Sequence, residues 1–357
     1  MKTKLIDHKK IVNAVRLSPL TSLGLYHRYR YWRRKNMMDS AISRFGTSGI
    51  PIPELKRKMK EAMIKYHWDF DEFFMYDYMK LTPEERASFV PEFEKNIFCD
   101  KVNDYSASRI FMSKWESYKL FKAFYKRDCV SVQAPLLDVP DALSAFLEKH
   151  PKFILKPDSA SSGRGIDLFD TRDVKDAVEK IQVRINQYHG RYVLEELIAQ
   201  SPEMGKFHPS SVNSLRMRSF RFDDRTIILP SNLRLGQGDS FVDNTGKGGI
   251  SAALDEDGTV IAACDEAGTS FDVHPDTGEQ IHGIKVPRWE EAVDLVKQLA
   301  EVLPSVRYVG WDLALTDEGW VMIEGNDKGM FVGIQKTRQK GFRPELNKIL
   351  AELNICL

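Results

Sequence analysis

Hydrophobic and polar positions divide the chain into two kinds of segment. Up to about residue 105 the pattern is mostly helical, with turns near TSGIPIP and LTPEE. Thr82-Pro83-Glu84-Glu85 there reads as an N-cap followed by proline at the first helical position. From about 106 the pattern changes. SKWESYKLFKAFYKR predicts a helix with Trp115, Tyr118, Leu120, Phe121 and Phe124 on one apolar stripe, and DALSAFLEKH predicts a shorter one. KFILKP and IDLFD predict strands on either side of the loop DSASSGRG. RDVKDAVEKIQVRINQY predicts a helix capped by Thr171 and ended by Gly190. RYVLEEL reads as a strand, and two hairpins follow, one turning at Asp223-Asp224 and one between Asp255 and Gly258. RWEEAVDLVKQLAEVL and RPELNKILAEL predict helices. Successive hairpins with interspersed helices imply an α+β fold rather than a parallel βαβ array.

The sharpest pattern is YVGWDLALTDEGWVMIEGN, residues 308–326. Two strands flank Asp317-Glu318-Gly319, which reads as a three-residue hairpin loop with glycine at the left-handed position. In that register Thr316 faces Trp320, Ala314 faces Met322 and Asp312 faces Glu324. Trp311, Leu313, Leu315, Val321 and Ile323 then point to the core, and Gly310, Asp312, Glu324 and Asn326 share the other face. Directly opposed like charges destabilise a sheet, so a cation is expected between them. Hard carboxylate and amide oxygens suit Mg²⁺; the bland alternative is an arginine paired with one carboxylate.

Composition narrows the classes. The chain has 357 residues, 42% apolar and 29% charged, enough for two or three lobes with substantial cores. Its four cysteines form no CxxC pair, which argues against a zinc site or disulfide framework and suits a reducing cytoplasm. No apolar run approaches a membrane span, and the first residues lack the apolar core of a signal peptide. Net charge is +1, yet residues 1–50 carry 11 basic and 2 acidic residues against 41 and 49 in the remainder. Within that start, LYHRYRYWRRKNMM (25–38) mixes basic and aromatic residues. It reads foremost as a solvated helix face packed through its aromatics. A nucleic-acid patch and a peripheral membrane contact are its alternatives.

Three further stretches carry candidate chemistry. Lys156 ends a strand and precedes PDSASSGRG, whose small residues leave backbone N–H groups open to an anion; a surface loop would look the same. YVLEELIAQSPE ends a strand in two acids beside Leu197 and Ile198, a possible edge for a flat base and its ribose, or a solvated strand end. Arg216 and Arg218, two apart, share one strand face, and Arg234 on the partner strand could join them to meet a phosphoryl group or carboxylate.

Taken in order, these features resemble the ATP-grasp superfamily. VLEELIAQSPE, PSSVNSLRMRSF, GKGGISAALDEDG, WDLA and IEGN look more closely like its sugar-transfer-associated family, over roughly residues 106–335. The resemblance implies an ATP-grasp fold, two α+β subdomains clasping ATP: a lid at about 125–195 and a metal and acceptor subdomain at about 205–357. The basic, mostly helical region 1–105 precedes it, and the ATP-grasp domain occupies 106–357. Lys156 and Lys114, with Lys119 as its competitor, would contact ATP phosphates together with Ser161, Ser162, Gly163 and Gly165. Glu195, Glu196 and Ile198 would form the adenine hinge, and Glu203 would meet the ribose. Asp312, Glu324 and Asn326 would hold Mg²⁺, Arg216 and Arg234 would face the γ-phosphate and the acceptor carboxylate, and Arg218, Lys247 and Lys328 would lie on the acceptor side. Ser214 stands where threonine is expected, and NDKGMF departs from the usual ending.

The implied reaction is ATP-dependent ligation of a carboxylate to an amine through an acyl phosphate, in surface-polysaccharide or secondary-metabolite synthesis. Its substrates would be small or sugar-linked, its location cytoplasmic, with no nucleic-acid partner expected. A small-molecule kinase on the same scaffold and a nucleotide-binding scaffold protein are the alternatives.

Overall fold

The computed structural model describes residues 37–136, 138–160, 165–186, 190–241, 243, 246 and 248–357. Residues 25–36 of the basic and aromatic run, together with Ser161, Ser162, Gly163 and Lys247, lie outside the described residues.

Helices come first. A helical segment at 37–45 leads to α1 (Ile52–Tyr66), α2 (Phe70–Met75), α3 (Pro83–Ser88), α4 (Glu92–Val102), α5 (Tyr105–Ser108) and α6 (Lys114–Tyr125), with a 3-10 turn (Arg109–Met112) before α6. The short helices are held at their starts: Asp69 with Glu72, and Thr82 with Glu85, each form a reciprocal capping box. Their aromatic residues are a core. Trp68 meets Tyr76 and Phe89 edge-on, with ring centroids 5.1 and 5.5 Å apart.

Two antiparallel sheets follow. The first contains β1 (Cys129–Ala134), β2 (Lys152–Pro157), β3 (Asp167–Asp170) and β4 (Gly190–Glu196), in the order β1-β4-β2-β3. Helices α7 (Asp141–Lys149) and α8 (Val174–Ile185) cover the face bearing Val130, Val132, Phe153, Leu155 and Leu194. The cap of α8 differs from the sequence expectation. Asp173, not Thr171, accepts from the backbone N–H of Asp176, while the Thr171 hydroxyl donates to Pro151 O. Gly190 does not end the helix, which stops at Ile185; it opens β4 opposite Ala134. Aspartate one residue before the first turn offers a charged acceptor to the free N–H groups, and Thr171 is too far upstream to reach them.

After α9 (Pro202–Gly205) the second sheet contains β5 (Ser214–Arg221), β6 (Thr226–Leu235), β7 (Ile250–Leu254), β8 (Val260–Cys264), β9 (Tyr308–Thr316) and β10 (Gly319–Asn326). Its order is β10-β9-β5-β6-β7-β8. Helix α10 (Trp289–Val302) and α6 pack on the apolar face, against Leu215, Met217, Leu233, Trp311 and Leu313. Helix α11 (Val332–Arg338) lies over β7 and β8, and α12 (Arg343–Leu353) packs with α4 around Phe98, Phe220 and Tyr308. Among the described residues no helix is long and apolar enough to cross a membrane.

The β9–β10 hairpin corrects the expected register. Gly319 pairs with Thr316, so the loop is two residues, and Trp320 and Met322 face Leu315 and Leu313. Trp320 and Met322 enter the core; Ile323, expected there, is half-buried. The register then slips between Met322 and Glu324, and Glu324 faces Asp312 after all. The reason is parity. An odd number of residues separates Asp312 from Glu324, so one unpaired residue must sit either in the turn or in a β-bulge. Placing it at Ile323 buries the indole of Trp320, whose Nε1 also donates to Arg288 O at 3.0 Å.

This register sets an order of stability losses measurable by urea denaturation. Met322→Ala should cost about 2–5 kcal/mol and Ile323→Ala less than half as much. The reverse order would restore the three-residue loop.

Candidate functional site

Alternation along β2 and β4 sorts the first sheet into a helix-covered face and a polar one. Lys156 and Glu195 share the polar face, because Lys156 pairs with Val193 and Ile154 with Glu195. Lys156 Nζ lies 2.6 Å from Glu195 Oε1, and both are buried. Glu195 Oε2 also accepts from Arg127 Nη2 at 2.8 Å and Nε at 3.2 Å. Burial would raise the Glu195 carboxyl, but the charges of Lys156 and Arg127 outweigh it and hold it at about 2. The Glu195 carboxylate is therefore engaged in an ion triad rather than extended toward a ribose. Glu196 points to the opposite face, where its Oε2 accepts from Asp128 N at 2.9 Å, so neighbouring strand residues cannot both face the cleft. Asp128 is further bonded to His150 and Lys149. Ile198 is half-buried just beyond β4, and Glu203 is exposed on α9.

Lys114, rather than Lys119, reaches the loop after β2. It is the first residue of α6, and Ser113 caps that helix. Asp158, directly after β2, accepts from Ser113 Oγ and Trp115 N, and so fixes the helix start to the loop. Lys114 Nζ donates to Ala160 O and to Asp158 O. Burial and neighbouring Lys156 lower the Lys114 ammonium pKa, opposed by Glu324 and Glu195. Lys119 instead pairs on the surface with Glu116, 2.7 Å away. Gly165, at φ +71°, marks where the described chain resumes after the loop; a side chain there would meet Pro157.

On the second sheet, Glu324, Asp312, Arg216 and Asn232 form one row across β10, β9, β5 and β6. Arg216 forks onto Asp312, with Nη2 2.6 Å from Oδ2 and Nε on Oδ1. Arg234 Nη1 approaches Oδ2 to 3.2 Å. Burial opposes the Asp312 charge, yet the two guanidinium groups hold its carboxyl at about 2. The expected cation between the opposed acids is thus partly supplied by the protein. Arg218, one row along, is buried and donates to the neutral acceptors Pro230 O, Asn232 Oδ1 and Met330 O. Burial brings its pKa down to about 10. Asn326 Nδ2 lies 3.4 Å from Glu324 Oε1, completing an oxygen-rich corner beside Asp312. Asp312, Glu324 and Asn326 offer only hard oxygens, a donor set that fits a divalent cation of the Mg²⁺ kind. Among the described residues, Lys114, Lys156, Arg127, Arg216, Arg218 and Arg234 share this region with Glu195, Asp312, Glu324, Asp158 and Asp243. Ser214, beside Arg234, donates its hydroxyl to Asp243.

Lys328 pairs its ammonium with Asp100 on α4. The backbone of its loop is what matters, because four successive carbonyls are gripped. Asp327 O accepts from Asn103 Nδ2, Lys328 O from Lys95 Nζ, Gly329 O from Tyr308 Oη and Met330 O from Arg218. Gly329 also runs against Gly310, where a Cβ would lie 3.2 Å from the other Cα. The helical region thus braces the segment that follows Asn326. Arg127, Lys95 and Asn103 escaped the sequence reading, since nothing local distinguishes them from surface residues.

Acid should weaken the fold through these pairs. Asp312 and Glu195 hold no proton in the folded chain until about pH 2, whereas unfolded carboxyls take one near pH 4. Their stabilisation is complete above about pH 5 and is lost as pH falls through 2, each group contributing on the order of 2–3 kcal/mol. Urea unfolding across that range should show Asp312→Asn with a shallower pH slope. At pH 7 the same variant should be less stable by about 3–5 kcal/mol, because it strands Arg216 without its buried partner.

A family model for sugar-transfer-associated ATP-grasp proteins matches residues 95–351. No curated protein sequence matches the chain. Among solved structures, similarity extends to D-alanine–D-alanine ligase from Bacillus anthracis complexed with ATP (14% identity, TM-score 0.43), covering 70% of this chain and 68% of that one. It extends also to VanG D-Ala:D-Ser ligase from Enterococcus faecalis (14%, TM-score 0.46, covering 70% and 63%). N5-carboxyaminoimidazole synthetase from Staphylococcus aureus complexed with ADP is similar at 12% identity and TM-score 0.45, covering 75% of this chain and 59% of its own. With the family model spanning well over half its length, the chain belongs to the sugar-transfer-associated ATP-grasp family.

Proposed function

We propose that the chain is an ATP-dependent carboxylate–amine ligase. Its acceptor would be a carboxylate on a small or sugar-linked molecule, in keeping with the family's association with sugar transfer. The observation that carries this reading is the meeting of two half-sites. Lys114 at the start of α6, which contacts the loop after β2, and the row Glu324–Asp312–Arg216 come together, with the Glu324 charge acting on both Lys114 and Arg216.

Each residue then has a physical task. Lys156, just before the small-residue loop, and Lys114, bonded to Asp158 O and Ala160 O within it, would offer point charges to phosphate oxygens. Arg216 and Arg234 present guanidinium groups where charge would build on the transferred phosphoryl group and on the attacking carboxylate. Arg218, hydrogen-bonded to Pro230 O, Asn232 Oδ1 and Met330 O, would extend that cationic strip toward the acceptor. Asp312, Glu324 and Asn326 would hold Mg²⁺, which neutralises phosphate charge when bound. Attack of the acceptor carboxylate on the γ-phosphorus would break its bond to the ADP oxygen and give an acyl phosphate. Attack by an amine would then expel inorganic phosphate and leave an amide. Such chemistry needs positioning and charge stabilisation rather than a covalent enzyme nucleophile. The lid would correspond to about 125–195 and the acceptor-bearing base to about 205–357.

Phosphorus NMR with Mg-ATP and pooled amino acids, sugar acids and polyamines tests the reading, with Asp312→Asn as control. ADP and free phosphate should appear only when an acid and an amine are both present, and not with the variant. A new phosphoester signal would replace the ligase by a kinase. Lys114→Met should weaken binding of a fluorescent ATP analogue by about tenfold, the loss of one charge-assisted contact. Lys119→Met should leave it unchanged, and equal effects would remove Lys114 from the site.

A further inference from the structure

Arg127 bridges strands of the two sheets. It lies between α6 and β1, and its guanidinium is buried. Nε and Nη2 bind Glu195 on lid strand β4. Nη1 donates to Met322 O at 2.6 Å and to Tyr125 O at 3.3 Å, while Nη2 reaches Ile323 O at 3.4 Å. Met322 and Ile323 are where β10 slips register against β9. Among the described residues strand β10 is also the edge of its sheet, and its outward carbonyls face no other described strand.

In a regular strand successive carbonyls point in opposite directions, and one donor group could meet only one of the two. At this bulge both converge on a single guanidinium. The residue directly after them is Glu324, the half-buried acid opposite Asp312. A bulge of this kind re-aims the next side chain, and the fork is what holds it in shape. We infer that Arg127 is a positioning residue for the metal carboxylate: by gripping the Met322–Ile323 bulge it turns Glu324 onto the Asp312 face, and through Glu195 it ties that orientation to Lys156 in the lid. This rests on the reading of Glu324 as a ligand of the divalent cation.

The fork, not the charge alone, is the active feature, so Arg127→Lys is the informative change. Lysine can still neutralise Glu195 but cannot reach Glu195 and both carbonyls together. The full-length chain would be titrated with Mn²⁺ by electron paramagnetic resonance in the presence of the non-hydrolysable analogue AMP-PNP. Binding of a fluorescent ATP analogue would be measured separately without metal. R127K should keep its metal-free nucleotide affinity and lose Mn²⁺ affinity by about 10–100-fold, the usual range for residues that orient a ligand. E324Q should lose at least as much, and the double variant no more than E324Q alone, because Arg127 acts through Glu324. Wild-type Mn²⁺ affinity in R127K overturns the inference, as do losses that add in the double variant. Wild-type affinity in E324Q would instead remove Glu324 from the metal site, and the inference with it. If R127K does not fold, Ile323→Gly loosens the same bulge without touching the Arg127–Glu195 pair. It should show the same loss, and its absence overturns the inference.

Discussion

The row Glu324–Asp312–Arg216 is the constraint around which the second sheet is organised. Asp312 is held among guanidinium groups in a buried setting, where either charge alone would be costly. Its neighbours on the other face, Trp311 and Leu313, lie in the main core, so the strand cannot shift to relieve the charges without exposing large apolar side chains. The pairing and the core therefore lock one another. The result is a rigid polar surface on a well-packed layer, the kind of support that keeps a reactive constellation in place.

The same logic explains why the helical region is part of the base. Asn103 and Lys95 reach from α4 and its end to the loop after Asn326, and Tyr308 and Arg218 grip it from below. Carbonyls in a buried loop need donors, and here two of the four come from more than two hundred residues away in sequence. A family match that begins at residue 95 fits this arrangement, since α4 already belongs to the bracing.

Much of the architecture was legible from the chain. The α+β character, the hairpins, the N-cap at Thr82 and the acids of β9 and β10 follow from periods of two and 3.6 and from turn chemistry. The family followed from the order of motifs, not from any one of them. Other details were not legible. Lys328 has the charge expected of an acceptor contact, but Asp100 on a distant helix takes its ammonium. Glu195 and Glu196 look alike in sequence, and the pleat assigns them to opposite faces, one to Lys156 and Arg127, the other to the backbone of Asp128. Arg127 carried no local signal, because its partners lie on β4 and β10.

The hairpin shows the division most clearly. Sequence by itself determined that Asp312 and Glu324 can share a face only with one residue left unpaired between them, because an odd number of residues separates the two. Where that residue sits was a question of energy. Only the packed structure decided it, since burying Trp320 and Met322 against Leu315 and Leu313 moved the irregularity from the turn to Ile323. Local pattern fixes which side chains may share a face, and competition for the core fixes how the backbone delivers them there.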